Sequence, residues 1–415
     1  MKGYINDFEC TDVLWRSFCG EMAVDKLEDS AKQLLEFEQL YNRIMDDEQI
    51  EYIRKVYHSV YKMSHTGRRS YDPAFMFKIC VLQQKIGCTD EQMAGLLHHE
   101  LLLYKIFHIW RDYKLPARRT ISKYHDRFRS LSLDDYFIKL VEKNTIDEAH
   151  TGVAVALDSS FLEAPKQHNT REENEMIKSG RGDELWQDDI NKQSHKDIDA
   201  SWTKKRNQSY YGYKMHVKVD EDTKFIIKHT LTTAKTADNS QIEALLDQSD
   251  YGKICHADSG YVCAENPDEE NILQKLTREL KINFQICERP GGKDKTFTDE
   301  QKLYNLSISP YRCRVEHVFG YMENCMGGMK IRTVGKEKAA YRCKLMVAVY
   351  NMCRFIQILK YHEELLIDAD KFQDLRNQVI EISGIPCQYE SYYVYSRENF
   401  RGQYIEQETA LPSVS

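Results

Sequence analysis

Near residue 150 the hydrophobic pattern of this chain changes its period, and few folds accommodate such a change. From about residue 30 to 147 apolar residues recur at three- and four-residue spacing with turn signals between the runs, the pattern of amphipathic helices. The clearest are Pro73 to Lys85, Thr89 to His98 with a capping box between Thr89 and Gln92, and Thr120 to Leu131. Past His150, Gly152 to Leu157 (GVAVAL) is a short β-branched run that stops at Asp158, as a buried strand does. Residues 166–208 are strongly charged, poor in aliphatic side chains and broken by SGRGD, so a long polar loop is expected there.

Order then returns. YYGYKMHVKV (210–219) and KFIIKHTLTT (224–233) flank the acidic turn Asp220 to Thr223 and predict an antiparallel hairpin. Ser240 and Glu243 predict a capping box for a helix through Leu246, and Lys253 to Ala257 is a short strand ending at Asp258. Asn266 and Pro267 open a helix, INFQIC (282–287) is a strand ended by Pro290, Gly291 and Gly292, and two helices follow around Arg312 to Glu323 and Lys338 to Leu359. The succession β, ββ, α, β, α, β, α, α with right-handed crossovers predicts an α/β chain. Its expected form is a ribonuclease-H-like mixed sheet with helices on both faces, preceded by an all-helical N-terminal domain. The expected divisions are 1–147 for the helical domain, 150–363 for the sheet domain with its polar loop 166–208, and 364–415 for a tail with one helix and a tyrosine-rich end.

A net charge of −7 excludes a chain that coats nucleic acid over its whole surface, so any such contact must come from local patches. Met1 to Trp15 lacks an apolar leader core and no later stretch reaches the length of a membrane span, which predicts a cytoplasmic protein with no membrane partner. The 12 cysteines, among them Cys10, Cys19, Cys80, Cys88, Cys255 and Cys263, show no close CxxC pairing and read as reduced core thiols.

Three carboxylates occupy comparable places: Asp158 after the first expected strand, Asp258 after the fourth, and Glu316 on a late helix. They lie 100 and 58 residues apart, so only folding can bring them together. Such a set suits Mg²⁺, a hard ion that prefers oxygen ligands. Two ions about 3.5–4 Å apart would serve an in-line phosphoryl transfer. Each acid also has an ordinary role. An Asp after a strand is commonly a turn or cap residue, and Glu316, flanked by Arg312, Arg314 and His317, equally fits a surface ion-pair array. The apolar strand before Asp158 and the small-residue setting HADSGY around Asp258 favour the functional role for those two.

Several segments carry a resemblance together: FMFKICVLQQKIGCTDEQM (75–93), ARRTISKYHDRF (117–128), ALDSSFLEAP, YYGYKMH, TTAKTADN, ICHADSGY and RCRVEHVFGYMEN. From about Asp72 to Leu359 the chain resembles the transposases of bacterial insertion sequences, in the insertion-sequence-five-like group of the DDE class with the signature Tyr-x2-Arg-x3-Glu-x6-Lys. The resemblance implies an enzyme that binds the terminal inverted repeats of its mobile element, cuts DNA and transfers the freed 3′ ends to a target. It also implies Mg²⁺ as cofactor (two ions, with Mn²⁺ as a substitute), double-stranded DNA as partner, and a homodimer when two ends are synapsed. Carried over residue by residue, the catalytic and metal-binding acids fall on Asp158, Asp258 and Glu316. The signature departs at two positions, where its Tyr is Ser309 and its Lys is Glu323. On a helix Glu316 and Glu323 share a face. A reversed charge therefore lies along the expected groove, and either another basic residue such as Lys330 or Arg332 takes over the DNA contact or the copy is impaired.

Two basic patches complete the reading. Between Arg111 and Arg129 seven Lys or Arg stand against Asp112 and Asp126, and Arg118, Arg119, Lys123 and Arg127 are the expected DNA contacts. The second patch comprises Lys204, Lys205, Arg206 and, on the following strand, Lys214, where alternation places Lys214, His216 and Lys218 opposite Tyr211, Tyr213 and Met215. Arg312 and Arg314 join them as expected DNA contacts, while His216, His256 and His317 are left out of the metal set. Two other functions stay open on this reading: a stand-alone metal nuclease on the same fold, and a catalytically silent DNA-binding derivative of a transposase.

Overall fold

The computed structural model describes residues 29–62, 70–109, 114–205, 207–263, 270–291 and 296–384. Met1 to Trp15, Cys10, Cys19, Arg111, Asp112, Arg206, Asn266, Pro267, Gly292 and the tyrosine-rich end lie outside them.

The first half is helical: α1 (Asp29–Ile44), α2 (Asp47–Val60), α3 (Pro73–Ile86), α4 (Asp90–His99), α5 (Leu101–Ile106), α6 (Arg118–Ser130) and α7 (Leu133–Thr145). The boundaries follow local chemistry. Asp46 caps α2 by accepting from Gln49 N–H, and Asp72 caps α3 just ahead of Pro73. Thr89 and Gln92 form the expected reciprocal box at α4.

Among the described residues six strands form one mixed sheet: β1 (Ala154–Glu163), β2 (Ser201–Lys205), β3 (Gln208–Asp220), β4 (Ile226–Thr233), β5 (Ile254–Ala257) and β6 (Asn283–Ile286). β3 pairs antiparallel with β1, β2 and β4, whereas β1, β5 and β6 run parallel. With the short β2 set aside, the order β4-β3-β1-β5-β6 is the ribonuclease-H-like arrangement. Helices α10 (Ile242–Leu245) and α11 (Ile272–Leu280) cover one face, burying Ile242, Leu245, Leu276 and Leu280 against Val155 and Leu157. The other face carries Ala156, Tyr213, Met215, Val217 and Val219 into a larger core shared with the helical half, with α12 (Asp299–Cys325), α13 (Lys336–Tyr361) and α14 (Gln373–Ser383). No helix among the described residues is long and apolar enough to cross a membrane.

Three local expectations are revised. The 166–208 stretch is not structureless: α8 (Arg171–Lys178), capped reciprocally by Thr170 and Glu173, α9 (Ile190–Ser194) and β2 all lie in it. β1 does not stop at Leu157 but continues to Glu163, because its antiparallel partner β3 extends beyond the point where its parallel partner β5 ends. Ser240 caps nothing. Its hydroxyl donates to Ala237 O at 2.7 Å within a 3₁₀ turn, and α10 is a single turn without a side-chain cap.

One contact joins the helical half to the sheet half at van der Waals limits. Gly87 closes α3 at φ +74°, and Gly327, at φ +77°, follows α12. A Cβ on Gly87 would lie 2.3 Å from Gly327 N, and one on Gly327 would lie 2.2 Å from Gly87 O. Gly327→Ala should therefore incur both the left-handed backbone cost of roughly 1–2 kcal/mol and an overpacking cost of about 1–3 kcal/mol. Gly180, at φ +78°, isolates the backbone cost alone, since a Cβ added there would meet nothing within 4 Å. Urea unfolding of the two alanine variants should show the larger loss for Gly327→Ala; equal losses would mean that the backbone contact between the halves is not tight.

Candidate active site

The sheet register builds the centre of the site. Leu157 opposite Ala257 is the last parallel pair between β1 and β5, so Asp158 and Asp258 are the next residues on neighbouring strands. Asp158 lies mid-strand, opposite Val217 of β3, and accepts from Ser159 N–H at 2.7 Å. Asp258 leaves β5 and accepts from Gly260 N–H at 2.7 Å. Burial pushes the Asp158 carboxyl up to about 7, against the pull of that Ser159 N–H, and the neighbouring Asp258 charge adds to the rise. Lys205 and Arg312 oppose it.

A third aspartate, which sequence spacing did not single out, completes the cluster. Asp238 accepts from Ser159 Oγ at 2.6 Å and from Lys214 Nζ at 3.1 Å. A side chain at Gly260 would sit 2.8 Å from Asp258 Oδ1 and 3.2 Å from Asp238 Oδ2, so the glycine is what lets both carboxylates border the same spot. Beneath them the buried Tyr261 ring ends in a hydroxyl with no hydrogen-bond partner. Burial raises its pKa first, and the charges of Asp158, Asp238 and Asp258 raise it further. Asp238 lies in the TTAKTADN turn, but its role depends on Ser159 and Lys214, partners that only strand pairing reveals.

Helix α12 lies across β1 and β5. Val315, Val318, Phe319 and Met322 anchor it in the larger core, and Tyr311 stacks on His256 of β5 with ring centroids 5.0 Å apart. His256 also contacts buried Glu221 and, at 3.0 Å, Gln285 of β6. Glu316 is on this helix but outside the aspartate cluster: it is half exposed and pairs with Arg312 at 2.7 Å. Partial burial opposes the Arg312 charge, yet Glu316, with Cys287 and Asp158, more than offsets it and raises its pKa. Among the described residues no three His, Cys, Asp or Glu side chains stand close enough to hold one ion in this arrangement.

The expected basic contacts divide sharply. Arg118, Arg119, Lys123, Lys204 and Lys205 are exposed. Arg127 is turned inward, over the rings of Tyr57, Tyr61 and Tyr124. Alternation on β3 holds, but the Lys214, His216 and Lys218 side is buried: Lys214 is committed to Asp238 and Thr236 O, and Lys218 to Asp250 at 2.8 Å. Burial lowers His216 to about 4, so the ring is neutral at physiological pH. Arg314 donates to Glu221 O at 2.8 Å and approaches Asp222.

The elevated Asp158 carboxyl fixes a pH dependence. Its folded value of about 7 lies above the unfolded value of about 3.9. The native state therefore binds the extra proton, and the stability present below about pH 4 is lost as pH rises through about 7. In metal-free protein Asp158→Asn, which has no charge to bury, should gain in unfolding temperature relative to wild type across that window. A constant difference between the two from pH 4 to about 8 would show that ionisation of Asp158 is not opposed.

Two family models match this chain. The family model described as Transposase DDE domain matches residues 149–352, and the one described as Transposase domain (DUF772) matches residues 22–127. A solved structure, described as a cryo-EM structure of the piggyBac transposase synaptic complex with hairpin DNA, is similar at 11% identity over 88% of this chain and 84% of that one, with a TM-score of 0.43. The two family models between them take in most of the helical half and the sheet that carries Asp158 and Asp258, and the chain belongs to the DDE transposases.

Proposed function

We propose that this transposase binds the terminal inverted repeats of its own element and catalyses divalent-metal-dependent strand cleavage followed by strand transfer, with Asp158, Asp258 and Glu316 as the metal-holding acids. One observation carries the reading. The parallel ladder of β1 and β5 ends where two carboxylates follow it side by side, and burial first, with the neighbouring Asp258 charge added, pushes the Asp158 carboxyl up to about 7. A pair of carboxylates that resists ionising together is suited to an arriving cation.

The donor set fits a hard ion, since the cluster offers carboxylate oxygens and the unpartnered Tyr261 hydroxyl. The cofactor proposed is Mg²⁺, as two ions, with Mn²⁺ as a substitute. When bound, such ions neutralise phosphate charge, activate the attacking water or 3′-hydroxyl and stabilise the leaving oxygen. This chain's residues do the rest. Asp158 would hold an ion through its ionised carboxylate, Gly260 N–H holds Asp258 in place, and Glu316 would join them by a turn away from Arg312. That turn leaves the Arg312 guanidinium to meet a phosphate oxygen. The exposed cations of α6 and β2 supply DNA contacts beyond the centre. Two element ends call for two such centres, so the working form is a homodimer, acting on the DNA of the cytoplasm.

The test separates the two glutamates of α12. Glu316→Gln should leave binding of an element-end duplex largely intact while lowering Mg²⁺-dependent nicking by about 10²–10³-fold, the scale of losing one electrostatic stabiliser. Glu323→Gln should retain substantial nicking, because it removes only a repulsion from phosphate. Wild-type nicking by Glu316→Gln, or loss of nicking only in Glu323→Gln, would show that the third acid has been assigned to the wrong position.

A further inference from the structure

Between the helical half and the sheet half lies a cavity of about 600 Å³. One wall is the start of α6, with Arg118, Arg119 and Lys123; the other is the segment after α12, with Lys330 and Arg332. The Gly87–Gly327 contact joins the two walls. Three carboxylates also line the space, and each has a cation within 4 Å: Asp90 has Arg342 at 3.3 Å, Glu91 has Arg118 at 3.8 Å, and Asp126 has Lys338 at 3.6 Å. Arg119, Lys123, Lys330 and Arg332 are exposed, and no ion pair is formed by any of them among the described residues. Thr333 adds a hydroxyl that is buried and without a hydrogen-bond partner.

Four uncompensated cations facing one concave space concentrate a positive field there, in a chain whose net charge is −7. The sheet-side wall is also tied to the catalytic strand. Ile331 N–H donates to Glu163 O at 2.8 Å and Glu163 N–H donates to Met329 O at 3.0 Å, at the end of the strand that carries Asp158.

We propose that this cavity is a binding site for the sugar-phosphate backbone of duplex DNA, gripped from one side by Arg119 and Lys123 and from the other by Lys330 and Arg332. The inference rests on the reading of this chain as an enzyme acting on DNA, and it adds where the backbone lies and which residues hold it. A strand held there runs beside the end of β1, and the basic pair on the sheet-side wall compensates for Glu323 seven residues before Lys330. Contacts of this kind set register and affinity but read no sequence.

The experiment uses the full chain in EDTA, so that chemistry plays no part, with labelled duplexes carrying either the element end or a scrambled sequence of equal length, titrated across a salt series. Lys330→Gln combined with Arg332→Gln should lower the slope of log affinity against log salt by about 1.8, from about 0.9 per phosphate contact. Affinity for both duplexes should fall by the same factor, and Arg119→Gln combined with Lys123→Gln should behave alike. The charge-preserving pair Lys330→Arg with Arg332→Lys should bind as wild type, which separates loss of charge from loss of fold. Wild-type slope and affinity in the Lys330 and Arg332 glutamine pair would overturn the two-sided grip, as would a loss confined to the element-end duplex. Equal displacement by inorganic phosphate would identify a small-anion site and overturn the proposal too. Failure of the wild-type chain to bind either duplex would instead overturn the functional reading on which the cavity's assignment rests.

Discussion

Helix α13 is the element against which both halves of the molecule are built. It is apolar around most of its circumference and buried along most of its length, which no solvent-facing helix can be. It packs against α1, α3 and α7 of the helical half and against β4 of the sheet. Three polar groups fix its position at the β3–β4 turn. The Asn351 side chain exchanges two hydrogen bonds of 3.0 Å with the backbone of Ile226, Arg354 Nε donates to Thr223 O at 2.6 Å, and Tyr350 Oη donates to Lys224 O at 3.0 Å. Among the described residues β4 pairs with β3 alone, so Asn351 satisfies backbone groups that an open strand edge would leave exposed to other chains. The helical half and the sheet consequently share one hydrophobic core, and the walls of the cavity between them are held at a set separation.

The metal-free site is organised by the cost of ionising Asp158, set first by its burial and then by the neighbouring Asp258 charge. Three devices relieve it without an ion: a proton favoured on Asp158, the cations Lys205 and Arg312 nearby, and backbone N–H groups on each carboxylate. Under these conditions a third carboxylate gains more from Arg312 than from joining the pair, which accounts for Glu316 pairing one helical turn back along α12 instead of with the aspartates. Asp238 escapes the same cost because Lys214 and Ser159 already compensate it.

The local pattern was enough wherever near neighbours in the chain decide the element. The alternating residues of β3, the capping box at Thr89 and the apolar run before Asp158 were all legible, and they place Asp158 on β1 and Asp258 just after β5, the strands that pairing then brings together. What escaped depends on partners distant in the chain. DSSFLE continues β1 only because β3 is there to pair with it, and SWTKK, with no apolar alternation, is a strand only through Gln208 to Gly212. Thr170 and Glu173 are different: that capping box was present in the local pattern and the polar composition around it obscured it. The inward turn of Arg127 was illegible for the opposite reason, since a helical Arg beside tyrosines reads the same whether it faces solvent or a stack of rings.

The central claim, that Asp158 and Asp258 form the core of a divalent-metal centre completed by Glu316, is tested most directly by anomalous scattering from Mn²⁺ in crystals of the protein bound to a cleaved element end. The account predicts an anomalous peak at ligand distance, about 2.0–2.2 Å, from an oxygen of each aspartate, with Glu316 turned away from Arg312 toward it. A Mn²⁺ peak held elsewhere, with Glu316 still paired to Arg312, would contradict it.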